Sequence, residues 1–344
     1  LNAQVEWARR GEEAEFRFNS MSFSNPHLAG SLFGSYRLQP GSSGVIDLNG
    51  NLTRAEARKV ARYIPLTIGG SSREWMERAF IAGRSNEVAL RIKGNLDDFP
   101  FPDNKGGIFQ VTAKIDGGAL DYAEGWPRIE NIAGDVNFRG KRLDIEVRKA
   151  SMLGVQLGKV HAEIPDLKYT DEVLLVTGMA EGPTSEFLAF IEKSPVSGMI
   201  DRFTDGVRAQ GAGRLALKLQ LPLRALAKST VAGSYQFTNN TITADEGLPP
   251  FEQASGRLEF TESSVRLQNA SGMFMGGPAT VSATTLRDAT VRINLQGRAN
   301  VDVLRRRADA APWMQKLRGT ADWRGTFVLR RKLADLVVES DLQG

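Results

Sequence analysis

Cysteine is absent from the 344 residues, which excludes disulfides, thiol catalysis and zinc sites built on thiolates. Histidine occurs only at His27 and His161, and two isolated histidines without cysteine do not read as a metal site. No run of 18 apolar residues exists, so no segment reads as a membrane-spanning helix. Charge of one sign is scarcely in excess: 44 Lys+Arg face 40 Asp+Glu. A net +4 over this length lacks the concentrated basic face that nucleic-acid binding requires. Aromatics make up 8 % and are scattered singly, which argues against a carbohydrate-active β-solenoid enzyme. An initiator methionine and a signal-peptide pattern are missing as well, so the chain reads as an internal piece of something longer.

What is present is apolar alternation with period two. Leu215, Leu217, Leu219 and Leu221 oppose Arg214, Lys218 and Gln220. Val88, Leu90 and Ile92 oppose Glu87, Arg91 and Lys93, and Phe109, Val111, Ala113 and Ile115 oppose Gln110, Thr112 and Lys114. Similar runs surround Val136–Phe138, Leu143–Val147, Val160–Ile164, Tyr235–Phe237, Val265–Leu267 and Val291–Leu295. Sheets with one wet and one dry face read this way. The 35 glycines suit many strand ends and turns.

Three helical segments are expected to interrupt the strands, each opening after a glycine and stopping before a proline: Gly50 to Pro65, Gly178 to Pro195 and Gly297 to Pro312. Thr53 and Glu56 have the spacing of a capping box in the first. A second short helix is expected after each, near Ser72–Phe80, Val196–Phe203 and Trp313–Leu317. The intervening segments repeat. Gly125-Trp126-Pro127, Glu130, Gly134 and Phe138 align with Gly247-Leu248-Pro249, Glu252, Gly256 and Phe260 at one offset of 122, and Ala150-Ser151 with Ala270-Ser271 after a two-residue deletion. The expected units are the end of a repeat over 1–83, complete repeats over 84–206 and 207–319, and the start of another over 320–344. The fold class is mainly β: an elongated, repetitive antiparallel sheet curved into a hydrophobic groove, with a short helix pair inserted once per repeat.

Motifs that suggest chemistry have plainer readings. Gly211-Ala212-Gly213-Arg214-Leu215-Ala216 fits a dinucleotide pattern, but a strand follows where a helix is needed, so the glycines read as a turn. His161 reads as a solvated strand residue, and His27 follows the turn signal Asn25-Pro26. Asp201 and Asp205, four apart, could form an acid–base pair on a helix. A helix end with Arg202 and Arg208 as partners is the better reading. Arg305-Arg306-Arg307 could meet anionic head groups, but reads first as a solvated helix face.

Gly125-Trp126-Pro127 through Gly134, Gly182-Pro183-Thr184 with Phe187-Leu188, and Ser194 through Asp201 resemble the YhdP branch of the AsmA-like family. So do Tyr63-Ile64-Pro65, Glu74-Trp75-Met76 and Asp98-Phe99-Pro100-Phe101. The resemblance implies a periplasmic segment of a protein anchored in the inner membrane of a Gram-negative envelope. It further implies a β-groove that carries phospholipid toward the outer membrane, with no catalytic residue and no cofactor. The expected partners are phospholipid acyl chains, the membranes at the two ends and envelope proteins, with no nucleic acid. The expected lining is Val88, Leu90, Ile92, Phe109, Val111, Ile115, Val136, Phe138, Leu215, Leu217, Leu219, Tyr235, Phe237, Val291 and Ile293. The alternative is a structural envelope scaffold with the same repeats, a filled core and no lipid.

Overall fold

The computed structural model describes residues 1–64, 69–167, 171–245, 248–288, 290–305, 318–330 and 333–340. They are mainly β, with nineteen strands assigned to one sheet and antiparallel in every pairing described below. In chain order these are β1 (Asn2–Arg10), β2 (Glu13–Ser24), β3 (Leu28–Leu38), β4 (Val45–Glu56), β5 (Phe80–Ser85), β6 (Val88–Asn95), β7 (Gly107–Leu120), β8 (Ile129–Arg139), β9 (Arg142–Met152) and β10 (Val155–Ile164). There follow β11 (Val173–Pro183), β12 (Arg208–Pro222), β13 (Thr230–Thr243), β14 (Phe251–Thr261), β15 (Val265–Phe274), β16 (Gly277–Thr285), β17 (Val291–Asn300), β18 (Thr320–Arg330) and β19 (Leu333–Ser340). The chain divides into two compact units. The first holds residues 1–152, 157–178 and 220–229, and the second holds 153–156, 179–219 and 230–344.

In the first unit, β1 to β4 are a meander. The next position beside β4 is filled by two collinear pieces: β6 along Val45–Leu52 and β5 along Ala55–Glu56. β7 pairs with both, then β8 and β9 follow. In the second unit β13 to β19 form an uninterrupted meander.

The first helix expected at each interruption opens later, and the first two of these are also shorter. Strand β4 runs on to Glu56, and only Ala57–Arg62 turns, as a 3-10 helix, before α1 (Gly70–Ala79). Thr53 and Glu56 are therefore not a capping box; Glu56 instead meets His27 at 3.1 Å. β11 likewise continues to Pro183 before α2 (Thr184–Glu192) and α3 (Val196–Met199). β17 continues to Asn300 before α4 (Val301–Arg305). The glycines expected to open helices pair within strands, Gly50 opposite Leu32 and Gly297 opposite Ala279 and Trp323. Ladder hydrogen bonds outcompete a helix start wherever a neighbouring strand is long enough to supply partners. Trp313–Leu317 lies outside the described residues.

Irregular backbone recurs at the offset read from the sequence. Left-handed φ appears at Gly117 and Asn239, Asn131 and Gln253, Leu153 and Met275, and Gly154 and Gly276, each pair 122 apart. The ladder between β7 and β8 is irregular around Gly118, and that between β13 and β14 around Asn240. Such bulges place an extra residue at the same strand end, where they increase the local twist.

Candidate functional site

Cross-strand registers assemble the expected lining into rows. In the first unit Leu90, Val111, Phe138 and Leu143 stand opposite one another on four strands. Val88, Ala113, Val136 and Ile145 form the next row, Ile92 and Phe109 pair beside them, and Ile115 faces Gly134. In the second unit one row crosses six strands: Tyr235, Leu258, Leu267, Ala283, Ile293 and Phe327. Val291 faces Thr285 one row along. On β12, Leu215, Leu217 and Leu219 alternate with exposed Ala216, Lys218 and Gln220.

The large side chains of these rows are only half-buried, whereas the buried residues are mostly small. Ala150, Ala180, Ala209, Ala254, Ala270, Ala279 and Ala299 are all buried, close to the strand ends that carry the insertions. A closed sandwich would bury its leucines and valines first. The total surface agrees: it is 21709 Å², against about 14,000 Å² for one compact body of this mass and about 17,000 Å² for two separate ones.

Two expected lining residues are packed instead. Phe237 is 8 % exposed, in a cluster with Ala254 and Ala270. Tyr235 lies edge-on to Phe187 of α2, with ring centroids 5.0 Å apart, and its hydroxyl donates to Thr184 Oγ1 at 2.8 Å. Thr184 in turn donates to Asn240 Oδ1 at 2.5 Å. Asn240, 0 % exposed, closes the network by donating to the carbonyls of Ala212 and Thr238. This corrects the reading of Gly211 and Gly213 as a turn: both lie within β12. A Cβ on Gly213 would stand 2.1 Å from the Tyr235 hydroxyl, and one on Gly211 2.7 Å from the Asn240 side chain. Both glycines make room for the polar network that ties α2 to the strands.

The opposite face is wet and charged. Arg91 reaches Asp47 at 2.5 Å, with Lys93 on its other oxygen at 3.5 Å, and Lys114 meets Glu87 at 2.8 Å. The Arg91 hydrogen bond holds the Asp47 carboxyl below its ordinary 3.8, and Arg142 does the same for Asp144. Arg224 lowers Glu172 in the same way.

Asp144, His161 and Glu163 converge on this face, with potential ligand atoms within 4.8 Å of one another. Strand alternation hides this, because Asp144 comes from the neighbouring strand. Arg142 binds both carboxylates, and His161 Nδ1 lies 2.6 Å from Glu146, so the group is built as an ion-pair network. Two hollows also open on the wet side: about 560 Å³ among Arg266, Gln268, Ser282, Thr284 and Asn294, and about 280 Å³ among Asn49, Asn51, Arg91 and Gln110. His27 sits in the turn expected of it, its amide donating to Asn25 Oδ1 at 2.8 Å. Asp201 and Asp205 are exposed turn residues, not a helical pair, and Asp205 meets Ser197 at 3.5 Å. Arg305 pairs with Asp302 at 2.9 Å, while Arg306 and Arg307 lie outside the described residues.

The model of the family described as YhdP protein matches residues 1–344. No curated protein and no solved structure is detectably similar.

Proposed function

Since the chain belongs to the YhdP family along its whole length, we propose that its dry face is a stretch of a lipid conduit. It would carry phospholipid between the inner and outer membranes across the periplasm. The family is one of cell-envelope proteins with a transport or structural role. No helix among the described residues is long and apolar enough to cross a membrane.

One observation carries the reading: continuous rows of large apolar side chains stay half-exposed while small alanines are buried. Such a face is stable only if water is tolerated on it or something apolar covers it. Acyl chains suit it. Burying a methylene contributes about 0.8 kcal/mol, so a tail of about 15 carbons gains on the order of 10 kcal/mol. An ionised phosphate would lose several kcal/mol if buried unpaired, so the head stays in water. No single contact dominates, which leaves a lipid free to slide.

Leu217→Asp tests this against the filled-core scaffold. Leu217 is half-buried on β12, so its carboxylate would stay hydrated. The variant is expected to keep its β circular dichroism and cooperative melt, and to lose the lipid that mass spectrometry finds with the parent chain. Lys218→Asp, on the exposed side, is expected to change neither. A filled core gives the opposite result: Leu217→Asp would then cost upward of about 4 kcal/mol and unfold the unit, and the parent chain would carry no lipid.

A further inference from the structure

We propose that a hollow on the wet face of the first unit binds an uncharged glycan. Asn49, Asn51, Gln110 and Thr112 take the sugar hydroxyls, and Phe33 carries the apolar side of a sugar ring. The site lies outside the dry rows and does not depend on what they carry.

The register builds the hollow. Phe33, Asn49, Arg91 and Gln110 stand opposite one another across β3, β4, β6 and β7. Asn51, Ala89 and Thr112 form the adjacent row. Ala89 is the short side chain between two longer ones, so this row sinks at its middle. The two rows enclose about 280 Å³, near the lower end of ordinary ligand clefts at about 300 Å³. Four strands at a spacing of roughly 4.8 Å make it about 14 Å across. Phe33, 49 % exposed, lines it on β3.

Its chemistry differs from that of the surrounding face, which is tied by ion pairs such as Lys114–Glu87, Arg148–Asp135 and Arg142–Asp144. No carboxylate lines the hollow, and its one cation is spent. Arg91 leans two residues along β4 to Asp47 and donates to the carbonyls of Leu48 and Ile92. Lys93 meets the same Asp47, and Arg139, opposite Gln110 on β8, lies outside the lining. The side chains of Asn49, Asn51, Gln110 and Thr112 hydrogen-bond no other protein group among the described residues. Three amides and a hydroxyl thus offer donors and acceptors at closely spaced points, with no free charge. Vicinal sugar hydroxyls, each both donor and acceptor, match that set. A phosphate or nucleic acid calls for unpaired cations. A peptide adding as a strand calls for a free edge, and β4, β6 and β7 are each paired on both sides. The exposed ring of Phe33 suits the C–H side of a pyranose. The hollow of about 560 Å³ in the second unit has a like lining: Gln268, Asn269, Ser282, Thr284 and Asn294 with Arg266, and again no carboxylate.

Cross-linking reads the site directly. Hexasaccharides of glucose and of N-acetylglucosamine, each carrying a diazirine, are irradiated with the whole chain, and labelled peptides are located by mass spectrometry. At least one sugar is expected to label β3–β4 and β6–β7, and the same sugar without the diazirine to compete. Labelling is expected to change less than about twofold between about 0.05 and 0.5 M salt, since no ionic contact is made. N51A/T112A and Phe33→Ala are each expected to lower labelling there at least fivefold with an unchanged circular dichroism melt. Thr177→Ala, exposed on β11 and outside the hollow, is expected to leave labelling as it was. The proposal is overturned if neither sugar labels these strands, or if labelling survives both hollow variants. Displacement by inorganic phosphate, with a steep loss in salt, overturns it in favour of an anion site. None of these outcomes bears on the conduit.

Discussion

Asn240 shows how much one polar side chain organises. Its amide satisfies the Thr184 hydroxyl and two carbonyls in a place water does not reach. Asn240→Ala leaves those groups unpaired, and each orphaned buried group costs about 1–3 kcal/mol. The expected loss is about 2–4 kcal/mol, read as a lower midpoint in urea unfolding followed by circular dichroism. Gly213→Ala attacks the same network sterically, since the added methyl would stand 2.1 Å from the Tyr235 oxygen. It should destabilise by at least about 2 kcal/mol. Gly158→Ala is the control: nothing lies within 4 Å of its added Cβ, and no loss beyond about 0.5 kcal/mol is expected. Equal effects of the two glycine variants would show that Tyr235 and Asn240 do not need the space.

Single strands carry their own chemistry on each side. Along β6, Val88, Leu90 and Ile92 build the dry rows while Arg91 and Lys93 reach Asp47 across the ladder on the wet side. These pairs are solvent-exposed, so each contributes at most about 1 kcal/mol. Their pH dependence has a definite sign. Asp47, Asp144 and Glu172 all have carboxyls lowered in the fold, by Arg91, Arg142 and Arg224. Their stabilisation is complete above the ordinary values of 3.8 for Asp and 4.5 for Glu, and is lost as pH falls through the lowered values. Urea midpoints should therefore be flat from pH 7 to about 5 and fall below about 4.5. Asp47→Asn should be less stable than the parent at pH 7 by up to about 1 kcal/mol and indistinguishable from it near pH 2. A variant that differs equally at both values would deny Asp47 its ionic role.

Taken over all its residues, the protein retains 21709 Å² of surface when folded. An unfolded chain of this mass exposes about 54,000 Å², so folding buries about 33,000 Å² where two compact units would bury about 38,000 Å². Heat capacity and denaturant slopes scale with that difference. Scanning calorimetry of the lipid-free chain should accordingly give an unfolding heat capacity about an eighth below the value for two compact units totalling 344 residues. A full-sized value would mean that the dry rows are covered in solution.

Period-two alternation was enough to read strands such as β6, β7 and β12 and to say which of their side chains share a face, because the pleat sends every second residue to the same side whatever lies beyond it. Left-handed φ values return at the same 122-residue offset as the Gly-Trp-Pro and Gly-Leu-Pro segments, so that spacing was legible in the sequence. Tertiary pairing decided the rest. Helix onsets moved past Gly50, Gly178 and Gly297 because neighbouring strands offered backbone partners that no local signal reveals. Gly211 and Gly213 became strand residues because Asn240 and Tyr235, distant in sequence, needed their space. Alternation says which way Tyr235 and Val111 point, and nothing about what stands above them. A helix folded back against Tyr235 and covered part of its ring, because burial belongs to the neighbour that arrives and not to the residue that waits.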